Sequence, residues 1–208
     1  MKQQKIHIGW LVTALVLLLL VIDQVIKIYI KTHFFLGESH EITSWFHIEF
    51  IENNGMAWGM TFFNKLVLSL FRLGAISVLI WYIYRLIKKG TCRMLYLTLI
   101  TLILSGAIGN MLDSMFYGLI FSGSSPDYVS YVVPFGQGYQ SFLMGKVVDM
   151  FRFPFFTITW PDWLPFLGGN RFTFFDPVFN FADSCVSVGV IAMAIFCRKD
   201  IENLKEWI

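Results

Sequence analysis

Four long apolar segments constrain this sequence more than any other feature, and each carries a charged side chain near one end. They run approximately from residue 8 to 30, 66 to 87, 94 to 117 and 178 to 197. About 20 apolar residues are enough for a helix to cross the hydrocarbon core of a bilayer. Together with a hydrophobic content of 56%, the segments predict an all-α membrane protein with four transmembrane helices in a single domain, residues 1–208.

The first segment begins like a signal peptide, since two lysines precede an apolar run from residue 8 to 22. No small-x-small cleavage site follows that run. Beyond Asp23 and Gln24 the apolar pattern continues to Ile30, which predicts one helix of about 23 residues, roughly 34 Å long. We therefore expect this segment to be retained as the first membrane span.

Lysine and arginine are distributed unevenly between the two ends of these segments. Nine lie at the N-terminus, in the turn 85–93 and after Phe196, whereas five lie in the opposite connections, residues 31–65 and 118–177. Because cytoplasmic loops carry the excess of basic residues, both termini are predicted to be cytoplasmic and both long connections to lie outside. The net charge of +2 and the scattered basic residues indicate no nucleic-acid partner.

The two outer connections carry the patterns of short strands rather than helices. Residues 44–51 and 146–153 alternate partly between apolar and polar side chains, and they predict a small extracytoplasmic β-rich cradle. Gly, Ser, Pro and Tyr are frequent in residues 121–145, which indicates a mobile lid whose removal should spare folding. Farther along, Trp160 and Trp163 indicate material that lies at the lipid headgroups.

The third segment ends in a pattern of small residues, with Gly106 and Gly109 on one helical face, followed by Asn110 and Asp113. Small residues let two membrane helices approach closely, and an asparagine can form a hydrogen bond across their contact. Helix packing explains the glycines, but it does not explain Asp113.

Charged side chains of the four segments are predicted to lie at a common depth. At about 1.5 Å per residue, each of these charged groups lies within roughly 10 Å of the outer end of its segment. Three of them are Asp23, Arg72 and Asp113. A charged group near the bilayer centre costs about 2.5–3.5 kcal/mol on insertion scales, so such groups are expected to pair inside the bundle. The structural interpretation is an ion pair of Arg72 with Asp23 or Asp113. The fourth charged residue at this depth is Asp183.

Pairing alone leaves a surplus of acids, because the inward-facing aspartates and Asp149 outnumber Arg72 and Lys27. At least one carboxyl group should then be protonated. Two aspartates that share a proton provide one base and one acid at neutral pH, which is what activation of a water for peptide hydrolysis requires. On the residues alone, structural pairing, ion coupling and a hydrolytic dyad all stay open.

Five short patches carry these polar residues along the chain. In order they are Asp23-Gln24 with Lys27, Asn53-x-Gly55-x-Ala57-Trp58, Gly106-x-x-Gly109-Asn110-x-x-Asp113, Val147-Val148-Asp149 and Phe179-Asn180-x-Ala182-Asp183. In this order, and on four predicted spans, the patches resemble the lipoprotein signal peptidase (signal peptidase II) family of bacterial intramembrane aspartic proteases. The resemblance covers most of the chain apart from the lengthened connections.

The resemblance implies a site, a substrate and a location. Asp149 and Asp183 would be the catalytic dyad. The residues that would line or support the site are Asn53, Gly55, Asn110, Asn180, Asp23, Lys27 and Asp113. The substrates would be diacylglyceryl-modified prolipoproteins, cut before the lipidated cysteine near the outer face of the bacterial cytoplasmic (inner) membrane. Further partners implied are membrane lipids and cyclic peptide inhibitors of the globomycin type, and the chemistry needs no metal or cofactor.

The sequence departs from the family pattern in two respects. The family usually has Arg directly after the third-span aspartate, whereas here the residue is Ser114, so another group such as Arg152 or Arg72 has to make its contacts. In addition, 35 residues separate Asp113 from Asp149 and 33 separate Asp149 from Asp183, and both connections are longer than the family pattern predicts. The outer loop is therefore enlarged.

A non-catalytic membrane protein is the alternative from another class. A proton-coupled carrier or a lipid-binding scaffold could use the same buried acids. Four spans are few for a carrier, and the sequence shows no inverted repeat. Accumulation of lipid-modified precursor on depletion of the protein would distinguish the protease from both.

The predicted orientation can be tested with single cysteines introduced at positions 127 and 90. A membrane-impermeant thiol reagent applied to intact spheroplasts should label position 127 and should not label position 90, because only the long connections are predicted to face outward. Labelling at position 90 without labelling at position 127 would reverse the orientation and move the site to the other face of the membrane.

Overall fold

The computed structural model describes residues 2–54, 65–90 and 92–202. Its helices are α1 Lys2–His33, α2 Lys65–Lys89, α3 Met94–Leu112, α4 Gly118–Ile120, α5 Phe181–Phe196 and α6 Arg198–Glu202. Its strands are β1 Ser39–Thr43, β2 Phe46–Asn53, β3 Val147–Arg152, β4 Phe156–Thr159 and β5 Arg171–Phe174. A π-helical turn, Asp113–Tyr117, joins α3 to α4, so that residues 94–120 form one continuous helix.

Three helices of the described chain are long and apolar enough to cross a membrane, and they comprise residues 3–33, 65–89 and 94–120. They confirm the first three predicted segments. The fourth apolar helix, α5, has 16 residues, which corresponds to about 24 Å against roughly 30 Å of hydrocarbon. It begins at Phe181 rather than at residue 178, because Asn180 has an extended backbone and caps the helix.

Helix α3 lies at the centre of the bundle, where it packs against α1, α2 and α5. A Cβ atom at Gly106 would lie 2.3 Å from the carbonyl oxygen of Ala182 on α5, and one at Gly109 would lie 2.6 Å from Asp23 Oδ2 on α1. Both distances are far shorter than a side-chain contact allows. The prediction that these two glycines permit close helix packing is therefore confirmed.

Strands β1, β2 and β3 form one antiparallel sheet in that order, and β4 and β5 form a separate hairpin. The two segments predicted from their alternation, 44–51 and 146–153, become β2 and β3, with Ile51 opposite Asp149. Apolar side chains of these strands join a buried cluster around Ile30 near the end of α1. The sheet is therefore fixed against the first membrane helix.

Residues 121–145 contain little regular structure but are packed into the core. Phe121 and Leu143 are buried, and each belongs to one of the two hydrophobic clusters. The backbone N–H of Gly145 donates a hydrogen bond of 2.9 Å to the carbonyl oxygen of Ser114. The expectation that this segment is a surface loop outside the core is therefore wrong at Phe121 and Leu143, and their burial argues against the prediction that its removal spares folding.

The contact between α3 and α5 predicts a large difference between two Gly-to-Ala substitutions. In Gly106→Ala the added Cβ would overlap the backbone of Ala182, which can move only if the helices separate. We expect a loss of about 1–3 kcal/mol in stability, seen as a lower midpoint in thermal unfolding of detergent-solubilised protein.

Gly74→Ala on α2 is the matched control, because no atom of the residues that the structure describes lies within 4 Å of its added Cβ. Its midpoint should equal or slightly exceed that of the wild type, since alanine favours helix more than glycine does. Equal midpoints for the two variants would show that α3 and α5 are not in close contact.

Candidate active site

Local structure at the start of α5 fixes the position of Asp183. Asn180 is the N-cap residue of this helix, and its side-chain oxygen accepts a hydrogen bond of 2.8 Å from the backbone N–H of Asp183. The backbone N–H of Asn180 donates one of 3.3 Å to the Asp183 carboxylate in return. This reciprocal capping follows from the Asn-x-x-Asp spacing, and it places a carboxylate where the helix dipole stabilises negative charge.

Asp149 reaches the same place from the sheet. It lies on β3 and is buried. The backbone N–H groups of Met150 and Phe151 donate hydrogen bonds of 3.1 and 2.8 Å to the carbonyl oxygen of Phe179. Because Phe179 directly precedes Asn180, these bonds hold the strand against the start of α5. The two aspartates predicted to form a dyad therefore line one cavity.

Three asparagine side chains connect the two carboxylates. Asn180 Nδ2 donates hydrogen bonds of 2.6 Å to Asp149 Oδ1 and 3.1 Å to Asn110 Oδ1. Asn110 Nδ2 donates one of 2.7 Å to Asp183 Oδ1, and Asn53 Nδ2 donates to Asp149 Oδ2. Each carboxylate is thus oriented by at least one side-chain amide. The structure brings all three asparagines of the expected site into contact with the aspartates.

A buried lysine is the partner of the two other aspartates. Lys27 Nζ lies 3.0 Å from Asp23 Oδ2 and 2.9 Å from Asp113 Oδ2, and its side chain is fully buried. Lys27 is therefore the cation that pairs with these two acids, whereas the structural interpretation named Arg72. Lys27 lies one helical turn beyond Asp23 on α1, so it reaches both carboxylates from the same face. Arg72 lines the cavity of the two other aspartates instead.

The lysine and its acids also contact the groups that position the dyad. Lys27 Nζ donates a hydrogen bond of 2.9 Å to Asn110 Oδ1, whose amide group donates to the dyad. Asp23 Oδ1 accepts one of 3.0 Å from the backbone N–H of Ala182 in the first turn of α5. Asp113 completes the arrangement from α3. These charged residues therefore hold α1, α3 and the start of α5 together.

A second buried ion pair was missed by the sequence analysis. Lys31 Nζ pairs with Glu52 and donates a hydrogen bond of 2.9 Å to Ser124 Oγ. Glu52 immediately precedes Asn53 on β2, so this pair fixes the strand end from which Asn53 reaches the dyad. The available signal was that Lys31 lies one turn beyond Lys27 and therefore faces the same side of α1.

The two aspartates open into a cavity of about 1430 Å³ that is bordered by β2, β3, α2, α3 and α5. Gly55 lies outside the described residues. Over residues 2–54, 65–90 and 92–202, no cluster of three His, Cys, Asp or Glu side chains could hold a metal ion. Polar residues of the lining include Asn53, Arg72, Asn110, Asp149 and Asp183. Aromatic residues of the lining are Phe46, Phe151, Phe153, Phe175 and Phe179.

Burial changes the titration of this pair of carboxyl groups. The pKa of Asp149 is raised from its ordinary value of 3.8 to about 7, first because burial disfavours the charged form and second because Asp183 is negatively charged nearby. Hydrogen bonds from Asn180 and Asn53 offset the rise in part. At neutral pH the cavity can therefore hold one protonated and one ionised carboxyl group, the combination that acid–base catalysis needs.

The match to a known family covers almost the whole of this arrangement. Residues 15–198 match the family model described as signal peptidase (SPase) II. This chain belongs to the signal peptidase II family. It is therefore a membrane hydrolase of a lipoprotein-processing protease family, which sets aside the non-catalytic alternative, and the resemblance seen in the five patches is confirmed.

Relatives of this chain in the signal peptidase II family are similar along most of their length. The lipoprotein signal peptidase of Porphyromonas gingivalis is 49% identical over 196 residues, which cover 94% of this chain and 86% of that protein. That of Amoebophilus asiaticus is 33% identical and covers 93% of this chain and 80% of its own length. The lipoprotein signal peptidase of Staphylococcus aureus is 30% identical, and the match covers 89% of this chain and 86% of that protein.

A solved structure also shares this fold. It is described as a bacterial membrane enzyme determined by the in meso method at 1.9 Å resolution. The two structures superpose with a TM-score of 0.60 at 25% sequence identity, over 91% of this chain and 93% of the other. This similarity supports a multi-pass membrane fold for the present member of the signal peptidase II family.

The buried ion pairs predict that removing the positive charge of Lys27 lowers stability more than removing the negative charge of Asp113. Lys27→Met would leave Asp23 and Asp113 buried without their positive partner, and breaking a buried pair in this way costs about 3–5 kcal/mol. Asp113→Asn keeps the pair between Lys27 and Asp23, so it should cost less. Thermal unfolding should rank the wild type above Asp113→Asn, and Asp113→Asn above Lys27→Met. The reverse order of the two variants would contradict the pairing.

Proposed function

We propose that this protein is an aspartic endopeptidase that removes signal peptides from diacylglyceryl-modified prolipoproteins by cleaving before the lipidated cysteine. The observation that supports this most strongly is the convergence of Asp149 and Asp183 on one cavity, with the side chain of Asn180 bonded to both residues. The names of the relatives support the substrate class. The geometry of the carboxyl groups supports the chemistry.

In the proposed mechanism Asp183 is the base and Asp149 is the acid. The ionised Asp183 takes a proton from a water molecule as the water oxygen attacks the carbonyl carbon of the scissile bond. Protonated Asp149 donates a hydrogen bond to the carbonyl oxygen and stabilises the tetrahedral intermediate. When the intermediate collapses, Asp183 returns the proton to the leaving nitrogen, which becomes the amino terminus of the lipidated cysteine. The raised pKa of Asp149 supports this assignment.

The lining of the cavity suits a peptide that carries acyl chains. Its aromatic side chains come from the sheet and from the residues before α5, and Val186 and Val188 extend the apolar wall along the helix. Arg72, from α2, adds a positive charge to this lining. Cyclic peptide inhibitors of the globomycin type would occupy the same space and compete with the substrate.

The proposal includes a location and an orientation. Helix α5 would serve as the fourth span, and the shortness of its 16 residues would be accommodated by local thinning of the bilayer. Arg198 and Lys199 directly after it would then lie in the cytoplasm together with both termini. The protein would reside in the bacterial cytoplasmic (inner) membrane, and its three-stranded sheet would form a cradle over the outer face beside the dyad.

The dyad is tested by comparing single and double substitutions. Asp149→Asn and Asp183→Asn should each remove nearly all cleavage of a lipid-modified precursor, and the double variant should be little worse, because both groups act on one water. Turnover is measured on purified variants whose thermal midpoints match that of the wild type. In the comparison variant Asp113→Asn, lost activity should follow lost folded protein. A folded single dyad variant with substantial turnover would contradict the proposal.

The raised pKa of Asp149 predicts the pH dependence of activity. Turnover should follow a bell-shaped pH profile whose upper limb falls as the pH rises through about 7, because Asp149 then loses the proton it donates. The two apparent pKa values of this bell-shaped profile belong to the pair jointly. A profile that stays flat through pH 7 would exclude Asp149 as the acid.

The stability of the folded protein should also depend on the protonation of Asp149. A carboxyl group whose pKa is higher in the folded state stabilises that state most below its ordinary pKa of 3.8, and the contribution is lost as the pH rises through about 7. The thermal midpoint of the wild type should therefore decrease over this range. Asp149→Asn should remove the decrease attributable to this group, and an identical decrease in the variant would show that another group is responsible.

A further inference from the structure

The hairpin of residues 155–175 lies outside the two hydrophobic clusters of the protein. Its strands β4 and β5 pair in register from end to end. The loop between them is closed by its own backbone, since Trp160 N–H donates to the carbonyl oxygen of Asn170 and Gly169 N–H donates to that of Trp160, each at 3.0 Å. The hairpin is therefore a defined structural element, although the core does not enclose it.

The tip of this hairpin presents large apolar side chains outward. Trp163 is 78% exposed and Phe166 is 101% exposed. The backbone of Phe166 has a φ of +66°, a left-handed conformation that a phenylalanine adopts only with strain. The carbonyl oxygen of Phe166 accepts a hydrogen bond of 3.5 Å from Asn170 Nδ2, so this backbone conformation belongs to the closed loop and directs the ring outward. Other exposed apolar side chains of the hairpin are Phe155, Phe156, Ile158, Leu167, Phe172, Phe174 and Phe175.

The hairpin is almost without charge, because Asp162 and Arg171 are the only charged residues between positions 155 and 175. A loop that faces water is ordinarily polar, and a surface that docks a soluble protein has a polar rim around its apolar centre. An element that inserts shallowly into the interface of a bilayer presents apolar side chains to the lipid and is rich in Trp. The hairpin has the properties of the last class.

Aromatic rings connect the hairpin to the cavity of the dyad. Phe153, which lines the cavity, stacks on Phe155 with 6.1 Å between ring centroids. Phe155 lies 6.0 Å from Phe175, which in turn lies 5.8 Å from Phe179, and the last two also line the cavity. A continuous aromatic surface therefore runs from the cavity onto the hairpin.

We propose that this hairpin is a membrane anchor whose tip inserts into the bilayer leaflet that borders the cavity. The occupant of its apolar surface is the lipid of that leaflet. The membrane is within reach, because only five residues separate the hairpin from Phe181, where the apolar helix α5 begins. Trp163 and Phe166 enter the boundary between the headgroups and the acyl chains, and Trp160 lies nearer the water.

The anchor has a consequence for the proposed function, on which this step rests. A diacylglyceryl group that resides in the same leaflet meets the aromatic surface of the hairpin before it enters the cavity. The tip therefore contributes to the capture of lipidated substrate. It does not contribute to the chemical step, since neither Trp163 nor Phe166 lines the cavity.

The insertion is tested by measuring the depth of a nitroxide at position 166. Phe166→Cys is spin-labelled in full-length protein whose three cysteines are replaced by alanine, reconstituted in vesicles of phosphatidylcholine and phosphatidylglycerol. Oxygen should broaden its spectrum more than a water-soluble nickel complex does, as at the membrane-exposed reference Leu17→Cys. The solvent-exposed reference Asp127→Cys should show the opposite. Accessibility like that of position 127 would overturn the proposal, and so would low accessibility to both reagents, which indicates a protein contact.

The contribution to capture is tested by kinetics on the same vesicles. The double variant Trp163→Ser and Phe166→Ser should raise KM for a lipid-modified precursor several-fold and leave kcat unchanged. Asp127→Ser is the control and should change neither constant. A lower kcat with unchanged KM would refute the role in capture. An inactive wild-type protein would refute the proposed function alone, because the depth measurement needs no activity and still decides whether the hairpin inserts.

Discussion

One buried ammonium group holds the centre of this protein together. Lys27 Nζ lies within 3.0 Å of carboxylate oxygens from both α1 and α3, and it donates to the side chain of Asn110. Without it, Asp23 and Asp113 would both be buried charges, which hydrocarbon penalises heavily. Asp23 also accepts a hydrogen bond from the backbone N–H of Ala182 in the first turn of α5. The position of Asp183 therefore depends on the charge of Lys27, although the two side chains are not in contact.

The parts of the site that are built locally have local signals in the sequence, although the signal at Asn180 was not used to place the start of α5. The spacing of Asn180 and Asp183 is a capping arrangement, so the carboxylate is fixed within one helical turn whatever the rest of the chain does. Alternation of apolar and polar side chains in residues 146–153 is likewise a local signal, and it predicted the strand that carries Asp149. The contact of Asn53 with Asp149 joins residues 96 positions apart, and only the resemblance to a family placed them at one site.

The incorrect expectations concern packing, which composition does not encode. Glycine, serine and proline in residues 121–145 correctly indicate the absence of regular structure, but a chain without regular structure can still be buried. The few large residues of the segment, such as Phe121 and Leu143, decide where it lies. Likewise, counting charges showed that the acids need a cation, but choosing Lys27 over Arg72 required the direction in which each helix faces.

Ser114 and the lengthened connection that follows it are linked by packing. Ser114 is fully buried, and a Cβ atom at Gly145 would lie 2.3 Å from the carbonyl oxygen of Asp113 and 3.2 Å from that of Ser114. A long arginine at position 114 would therefore have to displace the end of the enlarged segment. Arg152 does not replace it, because its guanidinium pairs with acids at the edge of the sheet. The arginine that lines the cavity comes instead from the second membrane helix.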